Sequence, residues 1–554
     1  MLKSAAYIFL GMLLSLQASS QSFSEIDQLF SEWGEENHPG GAIAIVDNGE
    51  MVYSNGFGLA NIEFKAPIDK GTIFNIASVS KQITAFSMIL LAQEGLISLD
   101  DEVRLYIPEL PDFGEKITIK HLVFHISGLR NFQNLLTMAG WREGDPMSND
   151  DLLKYIKWQQ DLNFPVGSEY LYCNTGYNLM ATIVERITGQ SFIQWTKENI
   201  FSPLGMDNTE YRNNMTRIQP NTAISYDGSA ETGFTRPLAF WNYMGNGNVY
   251  TTVGDLAKWM INFSTHQLGG LEGFNQLKEK GVLTDGKEIN YAFGISHGNY
   301  RGISTLQHGG SIGGYRSTLM YFPDQKVGIV VLTNFSSANP GRKTREVADM
   351  YLKEHFTKET DPPAVQATFS RDVVSISTAQ RVEREGNFLL NGLVVDFYSE
   401  KDQLMGKAQG FPPVPVSATS DSTAYIAPLN MDVWFRRNHR DSITSIVLYD
   451  PNPQYGVKID RSFINSPAMS DLIGTYFSPE LKTEYTISMT ETGLTVSHAR
   501  HETFDITPLN KNELVGGAWF FNEVRVVRNS IGKVTGLKVS NGRVRDLVFL
   551  KQGF

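Results

Sequence analysis

The chain has 554 residues, 41% hydrophobic and 19% charged, a folded composition too long for one ordinary core. Its net charge of −11 argues against nucleic acid as a partner, because phosphate binding needs clustered Lys and Arg. Cys173 is the single cysteine, so no internal disulfide forms, and with neither paired Cys nor HExxH spacing no metal and no cofactor is expected.

Residues 1–20 read as a signal peptide. Lys3 supplies a positive start, and Ala5–Leu16 is apolar but too short to span a bilayer comfortably. Ala18, Ser19 and Ser20 are small residues placed for cleavage before Gln21. No Cys stands there to carry a lipid, and no later run is apolar enough to cross a membrane. A mature chain without a transmembrane anchor is expected, periplasmic or secreted.

Ala42–Val46, an Asp47-Asn48-Gly49 turn and Met51-Val52-Tyr53 predict two strands. Ser78 to Glu94 then predicts a helix, apolar almost all round and therefore buried, with Gly95 at its C′ position. Further helices are expected over Tyr177–Ile187 and Thr252–Phe263. Residues 305–334 read as a meander, with strands at Tyr315–Phe322 and Val327–Leu332. A helix at Thr344–His355 closes this part. An early strand pair and a late meander imply one antiparallel sheet whose halves are separated by helices.

Asp361-Pro362-Pro363 is a linker signal, and the chain beyond it is strand-rich. Two stretches look like diverged copies. Val433–Asn438 precedes Ile443–Leu448, and Val524–Asn529 precedes Val534–Val539, each pair being strand, turn and strand. A duplication and a chance likeness of strand patterning both remain open. The expected organisation is a signal peptide at 1–20, a main domain at 21–360, and two β-modules at 364–462 and 467–554.

The chemistry rests on short patterns that are weak singly. Ser-x-x-Lys occurs at Ser78–Lys81 but also at Ser530–Lys533; Tyr-x-Asn at Tyr172–Asn174 but also at Tyr53–Asn55 and Tyr211–Asn213; His-x-Gly at His308–Gly310 but also at His38–Gly40. Position separates them. Ser78 and Lys81 share one face at a helix start, where free N–H groups, the dipole and burial lower a lysine pKa. Such a lysine accepts a hydroxyl proton. Ser530–Lys533 lacks a helix. Taken alone, Ser78 and Ser80 read equally as caps, Tyr172 as a buried aromatic, Asn174 as a turn residue and the glycines as strand-shaping. His121 and His125 stand four apart as on a helix, without an evident third ligand, and read as structural. Cys173 reads as a small buried filler.

The ordered set carries a resemblance. Phe74–Ala85, Ile117–Leu129, Phe164–Gly167 with Tyr172–Tyr177, Phe201–Met206 and Gln307–Tyr315 resemble the successive motif segments of class C β-lactamases and related penicillin-binding proteins, over residues 25–355. The resemblance implies an α+β fold, an antiparallel sheet flanked by helices with an inserted helical subdomain. The C-terminal modules resemble the lipocalin-like barrels of some D-aminopeptidase relatives. It also implies roles: Ser78 is acylated, Lys81 shares its proton, Tyr172 acts with Lys81 as base and then protonates the leaving group. Asn174 holds Lys81 and the substrate amide, and the backbone N–H groups of Ser78 and Ser311 form the oxyanion hole.

One departure matters. Many relatives carry Lys-Thr-Gly where this chain has His308-Gly309-Gly310. This resembles the esterase, D-aminopeptidase and D-peptidase branches and puts efficient β-lactam hydrolysis in doubt. The expected function is acyl transfer on amide or ester bonds of D-amino-acid peptides or small esters, so the expected partner is a small-molecule or peptide substrate. A β-lactamase is the first alternative, and a non-catalytic penicillin-binding or wall-recognition protein the second. The intact set Ser78, Lys81, Tyr172 and Asn174 argues against the latter. Oligomeric state is not legible.

Overall fold

Two nearly all-apolar strands meet at the centre of the first of two units. They are β1 (Gly41–Asp47) and its partner Val327–Thr333, paired antiparallel with Ile43 opposite Val331 and Ile45 opposite Ile329. Both are buried along almost their whole length. Continuous apolar runs of this kind belong to strands covered on both faces. The computed structural model describes residues 23–554 except 239, 358–370, 391–392, 409–410, 430, 439–440, 451, 460–466, 492 and 554. The proposed signal peptide and the Asp361-Pro362-Pro363 linker lie outside the described residues.

The sheet continues from β1 to β2 (Glu50–Phe57) on one side. On the other it runs through β6 (Val327–Thr333), β5 (Tyr315–Phe322), β4 (Ile303–Ile312) and β3 (Ser296–Tyr300). All neighbours are antiparallel, so the early pair and the late meander form one six-stranded sheet, as their patterns predict. Alternate side chains point to opposite faces. Ile43, Ile45, Ile329 and Val331 join Val347 and Ala348 of the helix Pro340–Tyr351 in one core. The helix Val253–Thr265 packs on β1, β2 and β6, and a Cβ on Gly328 would strike Met260 at 2.7 Å.

The helices between the two halves of the sheet supply the rest. The two that bear on the site are α1 (Lys81–Gln93), buried along nearly its whole circumference, and α2 (Asn174–Thr188), ended by Gly189 at φ 70°. Among the described residues no helix is long and apolar enough to cross a membrane.

The second unit comprises Gln133–Arg142 and 361–554. It holds two closed eight-stranded antiparallel barrels, the first from Gly386–Leu390 to Asn452–Ile459, the second from Gly474–Ser478 to Leu547–Lys551. The look-alike stretches occupy the sixth and seventh strands of their respective barrels. Each pair slips register at the same place, between Arg436 and Arg437 and between Val527 and Arg528. A shared bulge is a designed feature of a sheet, which favours duplication over coincidence. Within this unit the Tyr485 hydroxyl donates to the Met138 carbonyl at 2.8 Å, and the His501 ring meets the Thr137 carbonyl at 2.7 Å.

Candidate active site

Sequence places a helix start at Ser78. The structure inserts a tighter turn first: Ala77–Ser80 is 3-10, and the α-helix begins at Lys81. The cause lies at Ala77, whose φ of 47° is left-handed. An L-residue there costs about 1–3 kcal/mol and persists only where neighbours fix it. They do so here. Asn75 accepts the Ala77 N–H at 2.8 Å and is itself bound to Asn248 at 2.9 Å. Ser317 donates to the Ile76 carbonyl at 2.8 Å. The turn lifts Ser78 to a half-buried position between buried neighbours. Neither serine caps the helix. The Ser80 hydroxyl instead accepts the Val249 N–H at 3.1 Å, so capping does not account for this serine-rich start.

Lys81 follows one turn later on the same face and is wholly buried. Its ammonium donates to Ser78 Oγ at 3.1 Å and to the Asn246 carbonyl at 2.6 Å. It also stands 4.8 Å from the Tyr172 ring centroid and 5.5 Å from that of Tyr177. The close packing is enforced by Gly294, φ 73°, where a Cβ would lie 2.5 Å from the Lys81 carbonyl carbon and the Gln82 nitrogen. Any side chain there would push α1 away.

Tyr172 and Asn174 flank Cys173, the extended residue before α2. Cys173 points away from them, its thiol donating to the Leu129 carbonyl at 3.2 Å. This is the buried filler that the alternation of an extended segment predicts. The Asn174 N–H donates to Asn131 Oδ1 at 2.8 Å, which fixes the helix start. The Tyr172 ring packs on His125 at a centroid distance of 4.3 Å and approaches His308 at 6.2 Å.

His308 lies on β4 and places its ring among these aromatics. Its Nε2 meets the Tyr291 hydroxyl at 3.1 Å and its Nδ1 meets the Gly309 carbonyl at 2.6 Å. Burial, and then the positive charge of Lys81, push its pKa down to about 4. The imidazole is therefore neutral at physiological pH. Gly310 is required sterically: a Cβ would meet the Ile76 carbonyl oxygen at 2.3 Å and the Ala77 Cβ at 3.0 Å. Gly309 has open space, with its nearest neighbour at 3.8 Å. Ser311 stands opposite Arg316 in the β4–β5 register, at the end of the same strand.

The depressed His308 pKa has a stability consequence. The unfolded ring takes up its proton near 6.5, the folded one near 4. Between these values the unfolded state binds more protons, so stability falls as pH falls. His308→Gln is expected to show a smaller loss of Tm between pH 7 and pH 4.5 than the wild type. His121, His297 and His498 are lowered too, so the difference between the two proteins carries the test. Parallel curves would show that His308 is not held neutral.

The His121 and His125 pair does not share a helix. The helix Ile119–Val123 ends before His125, whose φ is 59°. His121 closes a capping box with Thr118, its Nδ1 accepting the Thr118 N–H at 3.1 Å. Among the described residues no group of His, Cys, Asp and Glu could hold a metal. His125 has a different position: its Nδ1 accepts the Cys173 N–H at 3.1 Å, and its ring supports Tyr172. Sequence spacing alone did not single out Asn246, Tyr291 or this support by His125. The other Tyr-x-Asn tyrosines serve elsewhere, Tyr53 bonding Asp27 and Tyr211 bonding the Ser80 carbonyl.

The matches with known proteins agree with this frame. The Beta-lactamase family model matches residues 26–352. A D-aminopeptidase of Gluconobacter oxydans (strain 621H) is 27% identical over 300 residues, 54% of this chain and 56% of that protein, so the chain spans just over half its length. Penicillin-binding protein 4* of Bacillus subtilis (strain 168) is 26% identical over 77% of this chain and 96% of its own. The octameric penicillin-binding protein homologue from Pyrococcus abyssi superposes with a TM-score of 0.55 at 21% identity, covering 78% of this chain and 99% of that one. That likeness supports the fold. With the family model covering more than half of its length, the chain belongs to the Beta-lactamase family.

Proposed function

We propose that the chain hydrolyses amide or ester bonds through an acyl-enzyme on Ser78, with D-amino-acid peptides or small esters as substrates. The observation that carries this is the Lys81 ammonium, fully buried and 3.1 Å from Ser78 Oγ. Ser78 Oγ attacks the carbonyl carbon while its proton passes to the Lys81–Tyr172 pair. The Ser78 and Ser311 backbone N–H groups take the developing oxyanion. The pair returns the proton to the leaving amine or alcohol, and water, deprotonated by the same pair, then releases the acid and frees Ser78. Asn174, at the start of α2, orients the substrate amide.

The D-peptide preference is supported by the D-aminopeptidase relative and by His308, Gly309 and Gly310 on β4. A neutral His308, with its ring nitrogens engaged by Tyr291 and Gly309, offers no charged donor to a substrate carboxylate, an interaction of about 1.5–3 kcal/mol where it is made. Substrates without a carboxylate at that subsite are thereby favoured over penicillins.

Intact mass spectrometry tests the reading. A fluorophosphonate is expected to add once, at Ser78, and not at all to Ser78→Ala. Penicillin is expected to leave little adduct. An adduct mapped to Ser80, or full labelling of Ser78→Ala, would overturn the mechanism. Rapid turnover of penicillin would favour the β-lactamase reading.

A further inference from the structure

The stretch that carries Tyr172 has no secondary structure of its own. Residues 169–173 belong to neither helix nor strand, and α2 starts only at Asn174. A proton-transferring group on such a stretch needs support from elsewhere, because a misplacement of about 1 Å costs on the order of 10²-fold in rate. One residue supplies that support on both sides of Tyr172. The His125 carbonyl accepts the Leu171 N–H at 3.0 Å, and His125 Nδ1 accepts the Cys173 N–H at 3.1 Å. The imidazole packs on the rings of Tyr172 at 4.3 Å, Tyr291 at 4.6 Å and Tyr177 at 5.1 Å, measured between centroids. His125 is fully buried among them.

The backbone of His125 departs from the ordinary in making both bonds. Its φ of 59° is left-handed, a conformation that a residue with a side chain keeps only where its surroundings hold it. The turn that follows is held in the same way. The Ile126 carbonyl accepts the Gly167 N–H at 2.8 Å, the Gly128 carbonyl accepts the Asn163 N–H at 2.7 Å, and a Cβ on Gly128 would lie 2.3 Å from the Phe164 carbonyl oxygen. The whole turn is thus laid against the chain that leads to Tyr172. The protonation state of His125 follows from its partner. A backbone N–H only donates, so the Nδ1 that accepts it carries no proton and the ring is a neutral imidazole. Lys81, 4.8 Å from the Tyr172 ring centroid and 5.5 Å from that of Tyr177, therefore gains no second cation from His125.

We propose that His125 is a positioning residue for Tyr172: it grips the chain on either side of that tyrosine and, by ring contact, sets where the phenol stands beside Lys81. It acts on the reaction through Tyr172 and not directly. The proposal rests on the reading of Tyr172 as base and proton donor. A histidine that only fills the core would change stability and leave the chemistry of Tyr172 alone.

A double-mutant cycle between His125 and Tyr172 tests the proposal. The substrate is D-alanine p-nitroanilide, or p-nitrophenyl acetate if the anilide is not cleaved. Rates are counted per Ser78 that a fluorophosphonate titrates, so an unfolded fraction does not contribute. His125→Ala removes ring and acceptor and is expected to lower kcat at least about twentyfold with KM within about twofold, the signature of lost transition-state geometry. His125→Asn keeps an acceptor oxygen close to the Nδ1 position and suits a left-handed φ, so it is expected to recover part of the loss and stand about fivefold below wild type. In Tyr172→Phe the hydroxyl to be positioned is gone, and each His125 substitution is expected to change kcat by less than about twofold. If His125→Ala does not fold, the His125→Asn cycle decides on its own. Equal factors in both backgrounds, unchanged kcat in the folded His125 variants, or an asparagine no better than alanine would overturn the proposal. The underlying reading has a separate readout. Full activity of Tyr172→Phe, or no wild-type turnover of either substrate, would overturn the mechanism and the proposal with it, whereas the expected loss in Tyr172→Phe with none in the His125 variants overturns the proposal alone.

Discussion

Lys81→Met is expected to lower turnover by about 10³-fold, within the range for losing a positioned general base, without a matching loss of stability. The two readouts move apart for a physical reason. Lys81 is fully buried, and a buried ammonium carries a desolvation penalty of several kcal/mol before any partner repays it. Methionine has similar length and no charge, so that penalty disappears. The Asn246 carbonyl, which accepts from Lys81 at 2.6 Å, loses its donor at a cost of about 1–3 kcal/mol. The two effects offset one another, and Tm is expected to stay within a few degrees of wild type. A structural lysine would give the opposite signature, a large fall in Tm with activity kept in the folded fraction. Thermal unfolding and steady-state rates on one preparation separate them. Activity within tenfold of wild type would show that Tyr172 deprotonates Ser78 without help.

The sheet was legible because its chemistry is local. Val327–Thr333 and Gly41–Asp47 are short apolar runs bounded by turn residues, the pattern of a strand covered on both faces. The barrels were legible as strand-rich modules, but closure is a long-range pairing of first and last strands that no local pattern records. At the site, Ser78 and Lys81 could be paired because three residues along a helix fix their geometry. The turn at Ala77 could not be foreseen. Its left-handed φ is held by Asn75 and Asn248, 173 positions apart in sequence. His125 was visible, but its partner spacing to His121 suggested a helix that in fact stops at Val123. Tyr291 and Asn246 carry no motif. They matter because the fold brings one to His308 and the other to Lys81.

Tyr172→Phe is expected to reduce kcat by about 10²-fold while the protein folds normally. The ring does most of the packing. It lies 4.3 Å from the His125 centroid, 6.1 Å from Tyr291 and 4.8 Å from the Lys81 ammonium, and phenylalanine keeps all three contacts. Only the hydroxyl is removed. A free phenol titrates near 10, so tyrosine is a poor base in water, and a cation beside it favours the ionised form. Lys81 supplies that cation. If the two groups share one proton, removing the hydroxyl leaves Lys81 to take the Ser78 proton without a relay to the leaving group. Acylation by a good leaving group should then suffer less than acylation by a poor one. The ratio of wild-type to variant kcat is therefore expected to be larger for a D-amino-acid amide than for an activated ester. Labelling of Ser78 by a fluorophosphonate, which carries a fluoride leaving group, should slow least of all. A uniform loss across amide, ester and fluorophosphonate would assign Tyr172 to deprotonating Ser78 and not to protonating the leaving group. Equal activity of variant and wild type on the amide would remove Tyr172 from the reaction altogether and leave its ring as packing for His125 and Lys81.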